Sequence, residues 1–193
     1  LATWDEDCLY LSLDTSMYWD EYCLVRLAVV YRGRALPVMR RVLERRSASV
    51  AFSEYREMLY QGANRLPQGV KVILLADRGF VHLKAMTLMR RQFGWHYRIR
   101  LKRDTWIWRS GKGWRQLQAF HLQSGEALCF HTVKLHKQKW YGPVHVMIGR
   151  NNIHGEFWAI VSDEPTNLQT FREYGVRFDT EKSQPQYTHS HEY

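Results

Sequence analysis

The run Val70-Lys71-Val72-Ile73-Leu74-Leu75-Ala76 is almost continuously apolar and is followed at once by Asp77. A short apolar run of this kind is typical of a central β-strand that is covered on both faces. The preceding stretch Leu66-Pro67-Gln68-Gly69 separates it from a helical pattern, because Pro and Gly end regular structure. We therefore predict a buried strand over 70–76 that places a carboxylate at its end.

The N-terminal part of the chain carries a second apolar run that ends in a carboxylate. The stretch Cys8-Leu9-Tyr10-Leu11-Ser12-Leu13-Asp14 predicts a buried strand with Asp14 at its exit. Apolar stretches over 21–30 and 35–43 flank Tyr31-Arg32-Gly33-Arg34, where Gly allows a tight hairpin turn. Three antiparallel strands are therefore expected before the first helix.

Helical patterns flank the central strand, and a polar-faced strand follows them. Ser49 is the predicted cap of a helix that continues to about Asn64. A second helix follows Phe80 and ends at Gly94, which suits the left-handed C-terminal position. The stretch 96–102 then alternates as a half-exposed strand should. Its exposed face is predicted to be cationic and consists of Arg98, Arg100 and Lys102.

From residue 104 to residue 163 the pattern changes to short aromatic strands separated by polar or Gly-rich turns, which predicts an all-β block. Glu164-Pro165-Thr166 then opens a final helix. The buried stripe predicted for that helix is Leu168, Phe171 and Phe178. The expected fold class is α/β, a mixed sheet with flanking helices that is interrupted by an all-β insertion.

The composition narrows the class of protein. The 193 residues include 28 Lys and Arg against 19 Asp and Glu, a net charge of +9. This charge favours a protein that binds a polyanion such as nucleic acid, and the alternative is a protein that is basic without such a partner. Charged residues interrupt every apolar run short of the roughly 18 residues of a membrane span, so a soluble protein is expected. Three cysteines without a CxxC pair indicate neither a disulfide framework nor a zinc ribbon, and predict a reducing, cytoplasmic location.

Three acidic residues far apart in sequence are able to converge on one point: Asp14 and Asp77 after core strands, and Glu181 on the final helix. Converging carboxylates repel one another unless cations intervene, so the set predicts a hard metal ion such as Mg²⁺. Two such ions about 4 Å apart would assist phosphoryl transfer. The alternative, which spacing alone leaves open, is that each acid is a turn residue or a surface charge.

Three blocks resemble, in order, the catalytic blocks of bacterial insertion-sequence transposases of the DDE class, in the subgroup with a Tyr-Arg-Glu-Lys signature. They are Leu11–Ser16, Leu75–Phe80 and Tyr174-x-x-Arg177-x-x-x-Glu181. The resemblance covers nearly the whole chain and implies a ribonuclease-H-like core. In that core Asp14, Asp77 and Glu181 would bind two Mg²⁺ ions, which Mn²⁺ can replace. The implied reaction is DNA strand cleavage by water, followed by strand transfer from a DNA 3′-hydroxyl.

The same resemblance implies DNA contacts outside the metal site. Tyr174 and Arg177 match positions that contact DNA phosphates near the cut, and Arg78 would meet a phosphate beside the catalytic Asp. Trp158 resembles an insertion-domain aromatic on which relatives stack a flipped base. Each residue has a structural alternative: Trp158 and Tyr174 as core, Arg78 in a structural ion pair, and Arg177 paired with Glu173 or Glu181. The implied partners are DNA and a second copy of the chain.

The resemblance also divides the chain. Residues 1–103 would form the first part of the catalytic core, 104–163 the β-strand insertion, 164–182 the final core helix and 183–193 a frayed tail. The signature Lys is expected at position 188, where Thr188 stands, and family members extend beyond both ends. The sequence thus resembles a truncated copy, with its activity in question. A non-catalytic DNA-binding remnant and a stand-alone ribonuclease-H-like nuclease are the alternative functions.

Overall fold

A ten-stranded sheet dominates the structure, a computed structural model that describes residue 4, residues 6–151 and residues 155–181, with side chains as far as residue 178. The strands are β1 (Cys8–Tyr18), β2 (Tyr22–Tyr31), β3 (Arg34–Glu44), β4 (Lys71–Ala76), β5 (His96–Arg100), β6 (Trp106–Arg109), β7 (Gly113–Gln116), β8 (Ala127–Leu135), β9 (Tyr141–Arg150) and β10 (Phe157–Ser162). Their order across the sheet is β3-β2-β1-β4-β5-β10-β9-β8-β6-β7.

The first five strands form one half of this sheet. Strands β1, β2 and β3 are antiparallel neighbours, as predicted, and β4 lies between β1 and β5 with both of these pairings parallel. The predicted strand over 70–76 is therefore confirmed as a central strand. Strand β1 is longer than predicted, since it continues four residues past Asp14 to pair with β2. Asp14 nonetheless lies one residue beyond Leu13, the last β1 residue paired with β4.

In the described part of the chain, three α-helices accompany the sheet: α1 (Phe52–Ala63), α2 (Leu83–Leu88) and α3 (Leu168–Glu181). Helix α2 widens into a π-helical turn and ends, as predicted, at Gly94 with φ +65°. The predicted cap of α1 at Ser49 is wrong. The helix is capped at Ala51, whose N–H donates to the Glu54 carboxylate at 2.6 Å, so a side chain inside the helix caps it.

The start of α3 also differs from the prediction. The helix begins at Leu168, four residues later than expected, because Asn167 accepts from the backbone N–H of Gln169 at 2.8 Å and caps it there. Leu168 was predicted to be buried, but as the first helical residue it is 67% exposed. Among the helix residues with described side chains, 168–178, the most buried are instead Thr170, Tyr174 and Arg177.

The two faces of the sheet are covered by different helices. Leu11 and Leu74 lie on the face that packs against α1 and α2, together with Tyr55 of α1 and Met86 of α2. Helix α3 contacts strands β10, β5, β4, β2 and β3, and it lies on the opposite face. Because side chains alternate along a strand, Ser12 and Leu75 point toward the α3 face, and so do Asp14 and Asp77.

Strands β6 to β10 fall within 104–163 and extend the same sheet, with β10 antiparallel to β5. The protein is a mixed α/β structure with one large sheet and a few helices. The domain boundaries proposed above stay a prediction, and the tail 183–193 lies outside the described residues. Within the described part of the chain, no helix is both long and apolar enough to cross a lipid bilayer.

Candidate active site

Asp14 and Asp77 occupy equivalent positions on neighbouring parallel strands. The last residue pair between β1 and β4 is Leu13 with Ala76, and each Asp follows directly. Adjacent strands are about 4.8 Å apart, so the two residues lie side by side at this end of β1 and β4. The Asp77 carboxylate accepts from the Arg78 N–H at 2.7 Å, which fixes its orientation at the strand end.

Two arginines continue this row across the sheet. Arg26 on β2 lies directly opposite Asp14. Ala76 pairs with Ile99, so Arg100 is the residue beside Asp77. The order Arg26, Asp14, Asp77, Arg100 places cations on both sides of the two acids. Arg26 was missed in the sequence, although a single charge inside the apolar run Leu24–Val30 was a signal.

Helix α3 adds a third arginine above the row. Arg177 Nη2 donates to Asp14 Oδ1 at 2.9 Å, and the Arg177 side chain is only 6% exposed. The predicted alternatives were ion pairs of Arg177 with Glu173 or Glu181. The first is not the arrangement found, since Glu173 accepts from Arg98, and the side chain of Glu181 lies outside the described residues. The structure therefore brings Arg177 to Asp14, and the predicted contact of Arg177 with a DNA phosphate stays a prediction.

Tyr174 lies one turn before Arg177 and is fully buried. Burial raises the pKa of the Tyr174 hydroxyl to about 12. The positive charges of Arg177 and Arg100 lower this pKa, and the negative charge of Asp77 raises it. The hydroxyl is thus within electrostatic range of both sides of the site, and it remains protonated at neutral pH.

Trp158 is half-buried in an aromatic cluster with α3. Its ring centroid lies 5.2 Å from that of Phe178, 5.6 Å from that of Tyr174 and 6.2 Å from that of Phe171. The Arg100 guanidinium lies 5.7 Å from the Trp158 ring centroid. Trp158 thus supports the helix that carries Arg177, and its role toward DNA stays a prediction. Arg78, by contrast, is exposed beside Asp77.

The predicted cationic face of β5 is not a free basic surface. The Arg98 side chain is 5% exposed and forms ion pairs with Glu164 at 2.8 Å and Glu173 at 2.7 Å. Arg100 pairs with Glu156 at 2.5 Å. Glu173 belongs to α3, so Arg98 ties that helix to the sheet and helps to hold Arg177 over Asp14. Only Lys102 of the three predicted basic residues lacks an ion pair with a described residue.

Glu181 is the last residue of α3, and its side chain lies outside the described residues. Position 181 follows Arg177 by four residues, so the two positions share a helix face about 6 Å apart along the axis. Among the side chains that are described, no three from His, Cys, Asp or Glu lie close enough together to hold a metal ion. Asp14 and Asp77 supply two hard oxygen donors, as Mg²⁺ requires.

Comparison with known proteins finds a structure with a similar fold but no matching family. No protein-family model matches the sequence, and no curated protein does. Among solved structures, a piggyBac transposase in a synaptic complex with hairpin DNA is similar, with a TM-score of 0.50 and 10% identity over 88% of this chain. This chain spans 38% of the length of that transposase. At such identity the likeness concerns the fold alone.

A second solved structure is more distant. It is the Argonaute of Marinitoga piezophila in complex with a guide RNA and target DNA. The TM-score is 0.35 with 9% identity, over 88% of this chain and 25% of the Argonaute chain. A similarity of this size carries no argument about fold or function.

Proposed function

We propose that the chain is the catalytic domain of a DDE-class transposase that cleaves DNA and joins a 3′-hydroxyl to a new phosphate. The observation that carries the proposal is the adjacency of Asp14 and Asp77 on parallel strands, with Arg177 of α3 over them. In this proposal β1–β5 with their helices are a ribonuclease-H-like core of the bacterial insertion-sequence type. The fold likeness to a transposase supports it.

The proposed metal ligands are Asp14, Asp77 and Glu181. Carboxylate oxygens are the donors that Mg²⁺ and Mn²⁺ prefer, and the two described acids lie on adjacent strands. When bound, divalent ions would supply charge neutralisation at the phosphate and lower the pKa of an attacking water or hydroxyl. Proposed roles follow for the surrounding residues of the chain itself.

The arginines and Tyr174 would bind and orient a DNA phosphate. Arg100 is paired with Glu156 and Arg177 with Asp14, and both flank the two acids, so each would exchange its acidic partner for an oxygen of the entering phosphodiester. The raised pKa of Tyr174 keeps this buried hydroxyl protonated, so it adds no negative charge that would repel the phosphate. Arg78 is exposed beside Asp77 and is assigned to the next phosphate.

Cleavage of a supercoiled plasmid in Mg²⁺ or Mn²⁺ tests the proposal. We expect the wild-type chain to nick the plasmid and Asp77→Asn to reduce the rate at least 100-fold, since a metal ligand is lost. Asn retains the capping hydrogen bond of Asp77, so the fold is preserved. The matched control Asp104→Asn changes an exposed acid of the insertion and should cleave like wild type. Equal rates for both variants would refute the proposed site.

A second function is favoured by one observation. The Arg177–Asp14 ion pair neutralises a proposed metal ligand from within the chain. A DNA-binding remnant without catalysis would keep this pair permanently. It predicts salt-sensitive DNA binding that Asp77→Ala does not change, together with no cleavage in either metal.

The transposase proposal also includes DNA as the partner, a homodimer on paired DNA ends and a bacterial cytoplasmic location.

A further inference from the structure

An exposed cluster of aromatic and basic side chains lies on the insertion, away from the carboxylates. Trp140, between β8 and β9, is 56% exposed. Lys134 Nζ lies 4.2 Å from the Trp140 ring centroid and 4.9 Å from that of Trp108. Beside these rings is a cleft of about 640 Å³, which we name the Trp140 cleft. Its lining includes Trp108, Arg109, Lys134, Trp140, Gly142 and Pro143.

The Trp140 cleft is cationic without local compensation. No acidic side chain of the described residues lines it. Between positions 104 and 150 there are seven Lys or Arg residues but only two Asp or Glu. The Arg109 guanidinium lies over the rings of Phe120 and Phe130, at 5.0 and 5.2 Å, and has no ion pair with a described residue. Its charge is thus not neutralised by an acid of the described residues.

The strands below the cleft are closely packed. Strand β8 changes its register against β9 on both sides of Val133, and Thr132 has φ +57° in this irregular stretch. Gly142 lies against the same stretch, since a Cβ at this position would be 2.6 Å from the Val133 carbonyl oxygen. Trp140 therefore stands next to a closely packed support, which favours a preformed platform.

We infer that the Trp140 cleft binds an unpaired nucleotide of a nucleic-acid strand. The base stacks on the indole of Trp140, and the neighbouring phosphates lie beside Lys134 and Arg109. Flat aromatic rings beside cations that no described acid neutralises suit these two parts of a nucleotide, and base stacking needs no particular sequence. The choice of a nucleic acid as ligand rests on the proposed function.

The Trp140 cleft differs from the other strongly exposed tryptophan, Trp19, and it is distant from the two carboxylates. Trp19 is 79% exposed, more than Trp140, but it is followed by Asp20 and Glu21, which repel a polyanion. Strand β8 lies four strands from β4, about 20 Å at the usual strand spacing. The cleft is thus separate from the carboxylates. At the rise of B-DNA, it would contact a bound DNA strand about six nucleotides from the nucleotide that lies at Asp14 and Asp77.

Binding of labelled 20-nucleotide single strands, in DNA and RNA forms, to the full chain in EDTA tests the inference. We expect Trp140→Ala to weaken binding of a single strand about tenfold. Trp140→Phe, which keeps a ring, should retain most of the affinity, and the matched control Trp19→Ala should bind like wild type. A fully paired duplex should be affected far less by Trp140→Ala. The RNA and DNA arms show which sugar the cleft accepts.

The inference is overturned if Trp140→Ala and Trp19→Ala bind the single strand equally well. It is also overturned if the duplex loses as much affinity as the single strand, or if poly-glutamate competes as well as the oligonucleotide, since either result indicates charge without stacking. Lys134→Gln provides a second variant, and binding at wild-type strength would likewise contradict the inference. Because EDTA removes divalent ions, these results are independent of the cleavage rates of Asp77→Asn.

Discussion

Arg177 of α3 donates to the Asp14 carboxylate of β1 at 2.9 Å, across 163 residues of chain. The guanidinium side chain is 6% exposed and the carboxylate side chain 21% exposed, so the pair is largely shielded from water. A shielded pair is costly to break on one side, because the remaining charge stays without its partner. The contact therefore couples the position of the last helix to the first acid of the candidate site.

We expect Arg177→Ala to lower the free energy of unfolding by about 3 kcal/mol, since the partly buried Asp14 loses its ion pair with α3. Urea unfolding followed by circular dichroism measures this change. Arg172→Ala, at an exposed position of the same helix, is the matched control and should change stability by less than about 0.5 kcal/mol. Similar values for the two variants would show that the pair does not anchor α3.

Gly149 of β9 lies in close contact with Phe171 of α3. A Cβ at this position would lie 2.5 and 2.8 Å from two atoms of the Phe171 ring. Gly149→Ala should therefore displace Phe171 and destabilise the protein by about 1–3 kcal/mol, as overpacking does. Thermal unfolding tests this expectation. A melting temperature equal to that of wild type would mean that α3 is less tightly packed on β9.

Gly175 lies inside α3 with no atom within 4 Å of a Cβ built there. Gly175→Ala should stabilise the protein by up to about 1 kcal/mol, because Gly in a helix interior costs conformational entropy. The same thermal unfolding experiment measures it, and it serves as the control for Gly149→Ala. A loss of stability would contradict the position of this residue on an open side of α3.

The ion pairs around Glu164 predict a pH dependence. Burial acts to raise the pKa of Glu164, but the hydrogen bonds from Lys71 and Arg98 outweigh it, so the pKa lies below 4.5. Between the lowered pKa of Glu164 in the folded protein and its ordinary pKa in the unfolded chain, the unfolded chain binds more protons than the folded protein. The stability from this group is thus present above pH 4.5 and is lost as the pH falls through the lower value.

Lys71→Met should be less stable than wild type at pH 7, and the difference should shrink as the pH falls below 4.5. Guanidinium unfolding at several pH values measures it, with Lys84→Met as control, since Lys84 is exposed and has no ion pair with a described residue. A constant difference between Lys71→Met and wild type over this range would contradict the assigned role of Glu164.

Local sequence patterns predicted the strands more successfully than their partners. The apolar run before Asp77 and the turn at Gly33 depend on neighbouring residues, and both predictions are confirmed. Burial of Arg98 was not predictable, because its acidic partners Glu164 and Glu173 follow 66 and 75 residues later. The two acids of the site were found from their positions after apolar runs. Arg26 and Arg100 could be identified as neighbours of these acids only from the register of β2 and β5 in the structure.

Binding of Mn²⁺ to the chain, measured by electron paramagnetic resonance, tests most directly whether Asp14 and Asp77 form one cation site. Asp77 has no ion pair with a described residue, so Asp77→Asn changes the ligand set with little effect on packing. We predict that wild type and Asp104→Asn bind Mn²⁺ alike and that Asp77→Asn binds at least tenfold more weakly. Equal Mn²⁺ affinity in all three proteins would contradict the account.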